Sequence, residues 1–422
     1  MSQIELRNAV VLVIDGLGAE SLGPYGNTWI ETDNFNRLAA RSLIFDQAYA
    51  PGGSLDQAYE LFWGAEPHVK PESPRQTGQN LIRDVAELGA LPTMITDETQ
   101  VEALKVANSF DQVIPVQSTP ANQLANANAE TEMANFFAQA TQWLSRMEPG
   151  SLGWLHSCGL MGAWDAPFDL RQKLADPEDP EPPRFHLPPS LRFDVENDEP
   201  DELLGFQQAF AAQVTILDQF LGIILDLMET DPVWSKTLFC LTSTGGYPMG
   251  EHGWIGHHQS KSAFYNEAVH VPLIICPPDH PDFDDALTQT RSVRNGSLVG
   301  IESVSDYLRD WFADDLENFC NRWDSSTLSL PEVRKEAVVL RSDDTYSIQT
   351  HAWKLIRRGD QFELFAKPDD RWEVNDVSRR CPQIVEALDE LLRQMVASGT
   401  EVGGLGGSGG LELPESLAIR SE

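Results

Sequence analysis

The chain has 422 residues, 41% of them hydrophobic, and its 65 acidic against 30 basic side chains give a formal charge of −35. That length supports one large α/β domain or two domains. The charge excludes nucleic acid and anionic membranes as partners, because both require basic patches, and it sits poorly with a highly anionic polymer as substrate.

The first eight residues lack the basic head and apolar core of a secretory signal, and no apolar run approaches the length of a membrane span. Cys158, Cys240, Cys276, Cys320 and Cys381 are few, odd in number and unclustered. They read as reduced thiols of a cytoplasmic protein.

In chain order, residues 9–18 form a β-branched run closed by Asp15 and Gly16. This predicts a central parallel strand with a carboxylate at its carboxyl end, where an Asp can equally be a cap, a turn residue or a ligand. A turn over 22–27, a helix over 32–41 and a strand over 43–50 follow. Ser54 precedes Leu55-Asp56-Gln57-Ala58 as a helix N-cap with an acidic first turn. A helix over 81–88, a strand over 92–97, a helix over 130–147 and a short strand ending at His156 alternate as in βαβ units. The stretch 166–202 is dense in Pro, Asp and Glu and reads as a surface excursion, either a lid or a solvated loop, the second being preferred. Apolar residues from Phe206 to Leu225 recur at steps of three and four, predicting a long amphipathic helix over 202–229.

Leu238 to Leu241 reads as a buried strand that empties into the loop 242–253, where α/β proteins place their ligands. Beyond it come a Val-Pro-Leu-Ile-Ile strand at 271–275, a helix over 304–316, short strands near 336–341, 346–348, 353–356 and 363–365, a helix over 382–395, and a flexible Gly-rich tail.

The central loop, Thr242-Ser243-Thr244-Gly245-Gly246-Tyr247-Pro248-Met249-Gly250-Glu251-His252-Gly253, resembles the Thr-Ser-Asp-His-Gly-x-x-x-Gly-Glu-His-Gly loop of sulfatases in the alkaline phosphatase superfamily. The resemblance extends in order from Val10 to about Leu392. It implies an alkaline phosphatase/sulfatase-like α/β sandwich over 1–320, with a large, mainly parallel sheet flanked by helices. A small α+β subdomain over 330–395 and a tail over 396–422 would complete the chain.

The family's first strand ends in two metal-binding aspartates; here Asp15 matches the first and Gly16 replaces the second. Thr244 and Gly245 stand where the loop's Asp-His pair supplies further ligands for a Ca or Mg ion. Ser54 falls on the Cys of the Cys-x-Pro-x-Arg motif that is oxidised to formylglycine, with Asp56 and Ala58 at the Pro and Arg positions. His156 matches a strand-end His, while Met161 stands at the catalytic His five residues on. His252 is kept, and His257, with Lys261 nearby, falls on a sulfate-holding Lys. The neighbouring pair His257-His258 is not expected to chelate a metal.

The resemblance therefore implies a pseudo-sulfatase with a binding or regulatory role and no cofactor. Ser54, His156 and His252 are its catalytic remnants, His257 and Lys261 its substrate-binding remnants, and Asp15 alone is insufficient for a metal. The alternative is a metal-dependent sulfuric or phosphoric ester hydrolase using Ser54, with Asp56 or Asp97 supplying the missing carboxylates. A third expectation is a metal-free site for a small anion, formed by the helix after Ser54 with His252, His257 or Lys261; the partner is left open between such an anion and a protein.

Overall fold

The computed structural model describes residues 7–52, 54–64, 80–117, 121–194, 196–256, 264–278, 292–316, 319, 337–342 and 344–397. His257, Lys261, Cys320 and the Gly-rich tail lie outside these. The nine-stranded main sheet contains β1 (Asn8–Ile14), β2 (Leu43–Tyr49), β3 (Leu91–Thr96), β4 (Gln112–Pro115), β5 (Ser151–Ser157), β7 (Thr237–Thr242), β9 (His270–Val271), β10 (Ile274–Cys276) and β11 (Val293–Gly300). Its order is β11-β2-β10-β7-β1-β5-β3-β4, with β9 paired to β2.

At the centre, β1 runs parallel to both β5 and β7. It shows no polar alternation because both of its faces are covered. Val10, Leu12 and Ile14 enter one core cluster, while Ala9, Val11 and Val13 enter the other. β10 is antiparallel to β2 and β7, so the sheet is mixed but mainly parallel.

The helix Pro200–Thr230 packs on the first of these faces. By length and composition it could cross a membrane, which the sequence reading did not anticipate, yet 72% of its apolar window is buried inside the molecule. Its polar residues mark it as a core helix. Gln213 Nε2 donates to the Ala163 carbonyl at 2.5 Å, and Asp218 Oδ1 accepts from the backbone N–H of Asn34 and Phe35 at 2.9 Å. Gln213 and Asp218 thus have partners that lipid would not supply.

Most of the stretch 166–202 is exposed or half-exposed, yet it is anchored from within. Arg171 is fully buried and donates to the carbonyls of Pro183 (2.6 Å), Trp164 (2.6 Å) and Phe185 (2.9 Å). Burial pulls its pKa down to about 10. A two-residue strand, β6 (Leu191–Arg192), pairs with β8 (Trp254–Ile255), and the Tyr247 hydroxyl donates to the Pro189 carbonyl. The excursion is therefore fastened onto the loop that follows β7.

A four-stranded antiparallel meander follows: β12 (Ala337–Ser342), β13 (Thr345–Thr350), β14 (Trp353–Arg358) and β15 (Gln361–Ala366). One face packs on the helix Pro382–Ala397 through Leu355, Leu364, Leu388 and Leu392. The other, with Val338, Leu340, Ile356 and Phe365, meets Tyr49, Phe264, Tyr265 and Leu298 of the main body. The alternating text of these strands, one set of apolar residues per face, is what lets the small sheet join the two halves.

Candidate functional site

Strand register builds the site. Ile14 lies beside Ser157 and Val13 beside both His156 and Thr242, so the residues after β1, β5 and β7 emerge together at one edge of the sheet. This is where open α/β sheets place ligands. Asp15, 3% exposed, sits there with His156, which is fully buried.

Thr244 Oγ1 donates to Asp15 Oδ1. His156 Nε2 lies 3.2 Å from Asp15 Oδ2, an ion-pair distance whose direction falls short of a well-formed hydrogen bond, and the nitrogen has no better partner. On the other side of the ring, His156 Nδ1 and the Tyr59 hydroxyl are 2.6 Å apart, and Trp154 Nε1 donates to the same hydroxyl at 3.3 Å. Burial on its own would lower the imidazole pKa. The Asp15 carboxylate, aided by Asp97 and Glu98, outweighs it and holds His156 above its ordinary value. In the cationic form the ring donates towards Asp15 and Tyr59, and the tyrosine oxygen accepts from both Trp154 and His156.

Tyr59, missed by the sequence reading, belongs to the helix Leu55–Trp63 that begins at Ser54. Nothing local distinguishes this tyrosine from an ordinary core aromatic; only the packing of that helix on β5 brings its hydroxyl to His156. Ser54 is exposed, and its Oγ accepts from the Gln57 N–H at 3.4 Å as the expected N-cap. Asp56 is exposed in the first turn, whereas Ala58 is buried in the core.

Gly16 adopts φ +76°, and a Cβ there would meet Leu160 Cβ at 3.1 Å and Met161 Cγ at 3.3 Å. Two of the departures, Gly16 and Met161, are thus packed against one another. A side chain at position 16 would be strained in backbone and crowded by Met161. Asp97, a candidate for an additional carboxylate ligand, is committed to the turn after β5: Oδ1 accepts from the Cys158 N–H at 2.7 Å and Oδ2 from Ser157 Oγ at 3.3 Å. Burial pushes its pKa up in spite of these donors.

A divalent cation needs several oxygen ligands that are free to point at it. Here both Asp15 oxygens are engaged, Gly16 and Gly245 offer no side chain, and the Thr244 hydroxyl is turned to Asp15. Among the described residues no group of three or more His, Cys, Asp or Glu side chains could hold a metal ion. The described donor set does not fit a Ca or Mg centre.

His252 is placed elsewhere. Its Nδ1 lies 2.6 Å from Glu267 Oε1, and its Nε2 lies 2.9 Å from the Glu373 carbonyl in the small subdomain. The ring stacks on Tyr265 with centroids 3.5 Å apart and 5° between planes. Burial opposes the charge, but Glu267 and the Glu373 carbonyl prevail, so its pKa is raised. With both nitrogens occupied, His252 is not free to hold the small anion considered above. The four described cysteines, Cys158, Cys240, Cys276 and Cys381, are free thiols.

The family model described as sulfatase matches residues 7–291. A sulfatase of Formosa agariphila is 34% identical over 74 residues, covering 18% of this chain and 14% of that protein. Arylsulfatase K of Gallus gallus is 26% identical over 217 residues, covering 46% of this chain and 36% of that protein. The matched stretches thus span well under half the length of either relative. Among solved structures, the phosphonate monoester hydrolase of Agrobacterium radiobacter superposes with a TM-score of 0.70 at 14% identity, covering 93% of this chain and 95% of that one. BT1596, a 2-O GAG sulfatase, does so with a TM-score of 0.65 at 14% identity, covering 94% and 93%. At such identities the superpositions speak for the shared alkaline phosphatase-like fold, while the family match spans most of the chain. The chain belongs to the sulfatase family.

Proposed function

We propose that this sulfatase-family chain does not hydrolyse esters through a bound metal and instead has a binding or regulatory role. One observation carries the reading: the Asp15 carboxylate is already turned to partners within the chain, the Thr244 hydroxyl on one oxygen and the His156 imidazole 3.2 Å from the other. A metal would have to displace both, and among the described residues no group of three or more His, Cys, Asp or Glu side chains could hold it. Without such a charge, an exposed serine hydroxyl is a weak nucleophile at neutral pH, and Ser54 is occupied as a helix cap.

The test is metal analysis of protein purified without chelators, joined to turnover assays with aryl sulfates and phosphate esters. The expected result is no stoichiometric divalent metal and no turnover. Bound metal together with turnover that disappears in Asp15→Ala overturns the proposal. It would favour the hydrolase reading, in which Ser54→Ala also abolishes activity and the mass of the intact peptide reports any conversion of Ser54 to formylglycine.

A further inference from the structure

The connection between β15 and the helix Pro382–Ala397 presents two large apolar side chains to solvent: Trp372 is 54% and Val374 71% exposed, while Glu373 between them is buried. The turn that does this is held in place. Glu373 takes φ +55°, a left-handed conformation unfavourable for a residue with a Cβ. The Asp370 carboxylate accepts from the Val374 N–H at 3.1 Å and the Asn375 N–H at 2.9 Å. With the Glu373 carboxylate kept inside by Lys354 and Lys367, its two apolar neighbours face outwards.

The charges of this connection are uneven. Asp370, Glu373 and Asp376 accept hydrogen bonds from within the chain, leaving Asp369 exposed. Arg371, Arg379 and Arg380 are also exposed, and none of them forms an ion pair or a side-chain hydrogen bond among the described residues. Arg371 lies over the Trp372 ring at 5.0 Å. In a chain of formal charge −35, an exposed tryptophan on one connection with three unpaired arginines suits an acidic, apolar partner.

The chain itself carries such a segment. Residues 411–419, Leu411-Glu412-Leu413-Pro414-Glu415-Ser416-Leu417-Ala418-Ile419, hold four large apolar side chains, two carboxylates and no cation. They are joined to the helix by residues 398–410, seven of them Gly. The helix has 16 residues and begins directly after the connection, so it carries the chain about 24 Å away at about 1.5 Å per residue. A Gly-rich stretch of about 13 residues has an r.m.s. reach of about 20 Å, close to that span. A linker matched to its span gives the highest effective concentration, which a second copy of the chain in dilute solution cannot equal.

We propose that residues 411–419 dock on the turn of Trp372 and Val374 of the same chain, their leucines against these two side chains and Glu412 and Glu415 towards the arginines. The proposal does not depend on the fate of the Asp15 site.

Fluorescence anisotropy with a labelled peptide of residues 409–419 tests it, on the full chain and on a variant ending at Gly410. Saturable binding to the shortened variant is expected, weakened about tenfold or more in the full chain, whose own segment competes. Trp372→Ala in the shortened variant should weaken the peptide about tenfold or more, the effect of losing a central aromatic anchor. Arg379→Gln with Arg380→Gln should weaken it less and remove most of its dependence on salt. All three positions are exposed, so folding is not at stake. Absence of saturable binding to the shortened variant, equal affinity for both proteins, or indifference to Trp372→Ala overturns the proposal. So does a full-chain dimer in sedimentation that shortening dissociates, since the segment then sits on a second copy.

Discussion

Two carboxylate–imidazole pairs stand at opposite ends of the loop after β7, and they do different work. Asp15 and His156 lie at the edge of the main sheet, enclosed by the side chains of Thr244, Tyr59 and Trp154. Glu267 and His252 lie at the junction with the small subdomain, where the second imidazole nitrogen reaches the Glu373 carbonyl across the interface. The first pair closes on itself at the edge of the main sheet; the second clamps the loop after β7 to the segment that follows the small sheet. The same chemistry fills a pocket in one place and joins subdomains in the other, and the difference lies in what the remaining imidazole nitrogen meets.

The junction should be the easier one to break. The Glu373 side chain, fully buried, accepts from Lys354 at 2.8 Å, pairs with Lys367 at 2.7 Å and also accepts from the Asn266 N–H. Glu373→Ala strands two ammonium groups, one of them buried, and is expected to lower stability by about 3–5 kcal/mol, read by urea denaturation. A change below about 1 kcal/mol would mean that the pair behaves as a surface one.

The Asp15 cluster should respond less, since each substitution removes one or two hydrogen bonds and leaves no ammonium group without its carboxylate. Thr244→Val leaves a buried carboxylate oxygen unpaired, and Tyr59→Phe leaves Trp154 Nε1 and His156 Nδ1 without their shared oxygen; each should cost about 1–3 kcal/mol. If Thr244→Val is neutral in denaturation, the Thr244 hydroxyl is not what holds Asp15 turned inward.

A smaller effect separates the two regions by pH. His252 has a folded pKa raised above its ordinary 6.5, so its contribution to stability is complete below about pH 6.5 and is lost as pH rises through the raised value. In His252→Asn this part of the pH dependence should vanish while the part due to His156, which has the same sign, remains. Melting temperatures measured from pH 5 to 9 would reveal it. Smallest of all, Ser54→Ala should cost about 0.5 kcal/mol, the low end for an N-cap, because the capping contact is long at 3.4 Å.

The fold was legible in the text because its signals are local. The β-branched run from Ala9 to Ile14, the three-four spacing from Phe206 to Leu225 and the cap at Ser54 each state their element without reference to anything distant. The resemblance to sulfatases rested on the same kind of short, ordered segments. What the text did not show is the anchor: the surface stretch 166–202 is pinned from inside by one buried arginine, and nothing in its composition marks Arg171 for that part.

The sequence by itself determined which groups stand at the ends of β1, β5 and β7, and therefore that Gly16, Thr244 and Gly245 bring few ligand atoms there. Only the tertiary structure decided what those groups do with one another. That Thr244 and His156 turn onto Asp15, that Met161 fills the space beside Gly16, and that His252 faces the small subdomain all depend on contacts between residues far apart in the chain. Hydrogen bonds and packing act over a few ångströms in space, and no spacing along a sequence encodes which distant side chain will arrive within that reach.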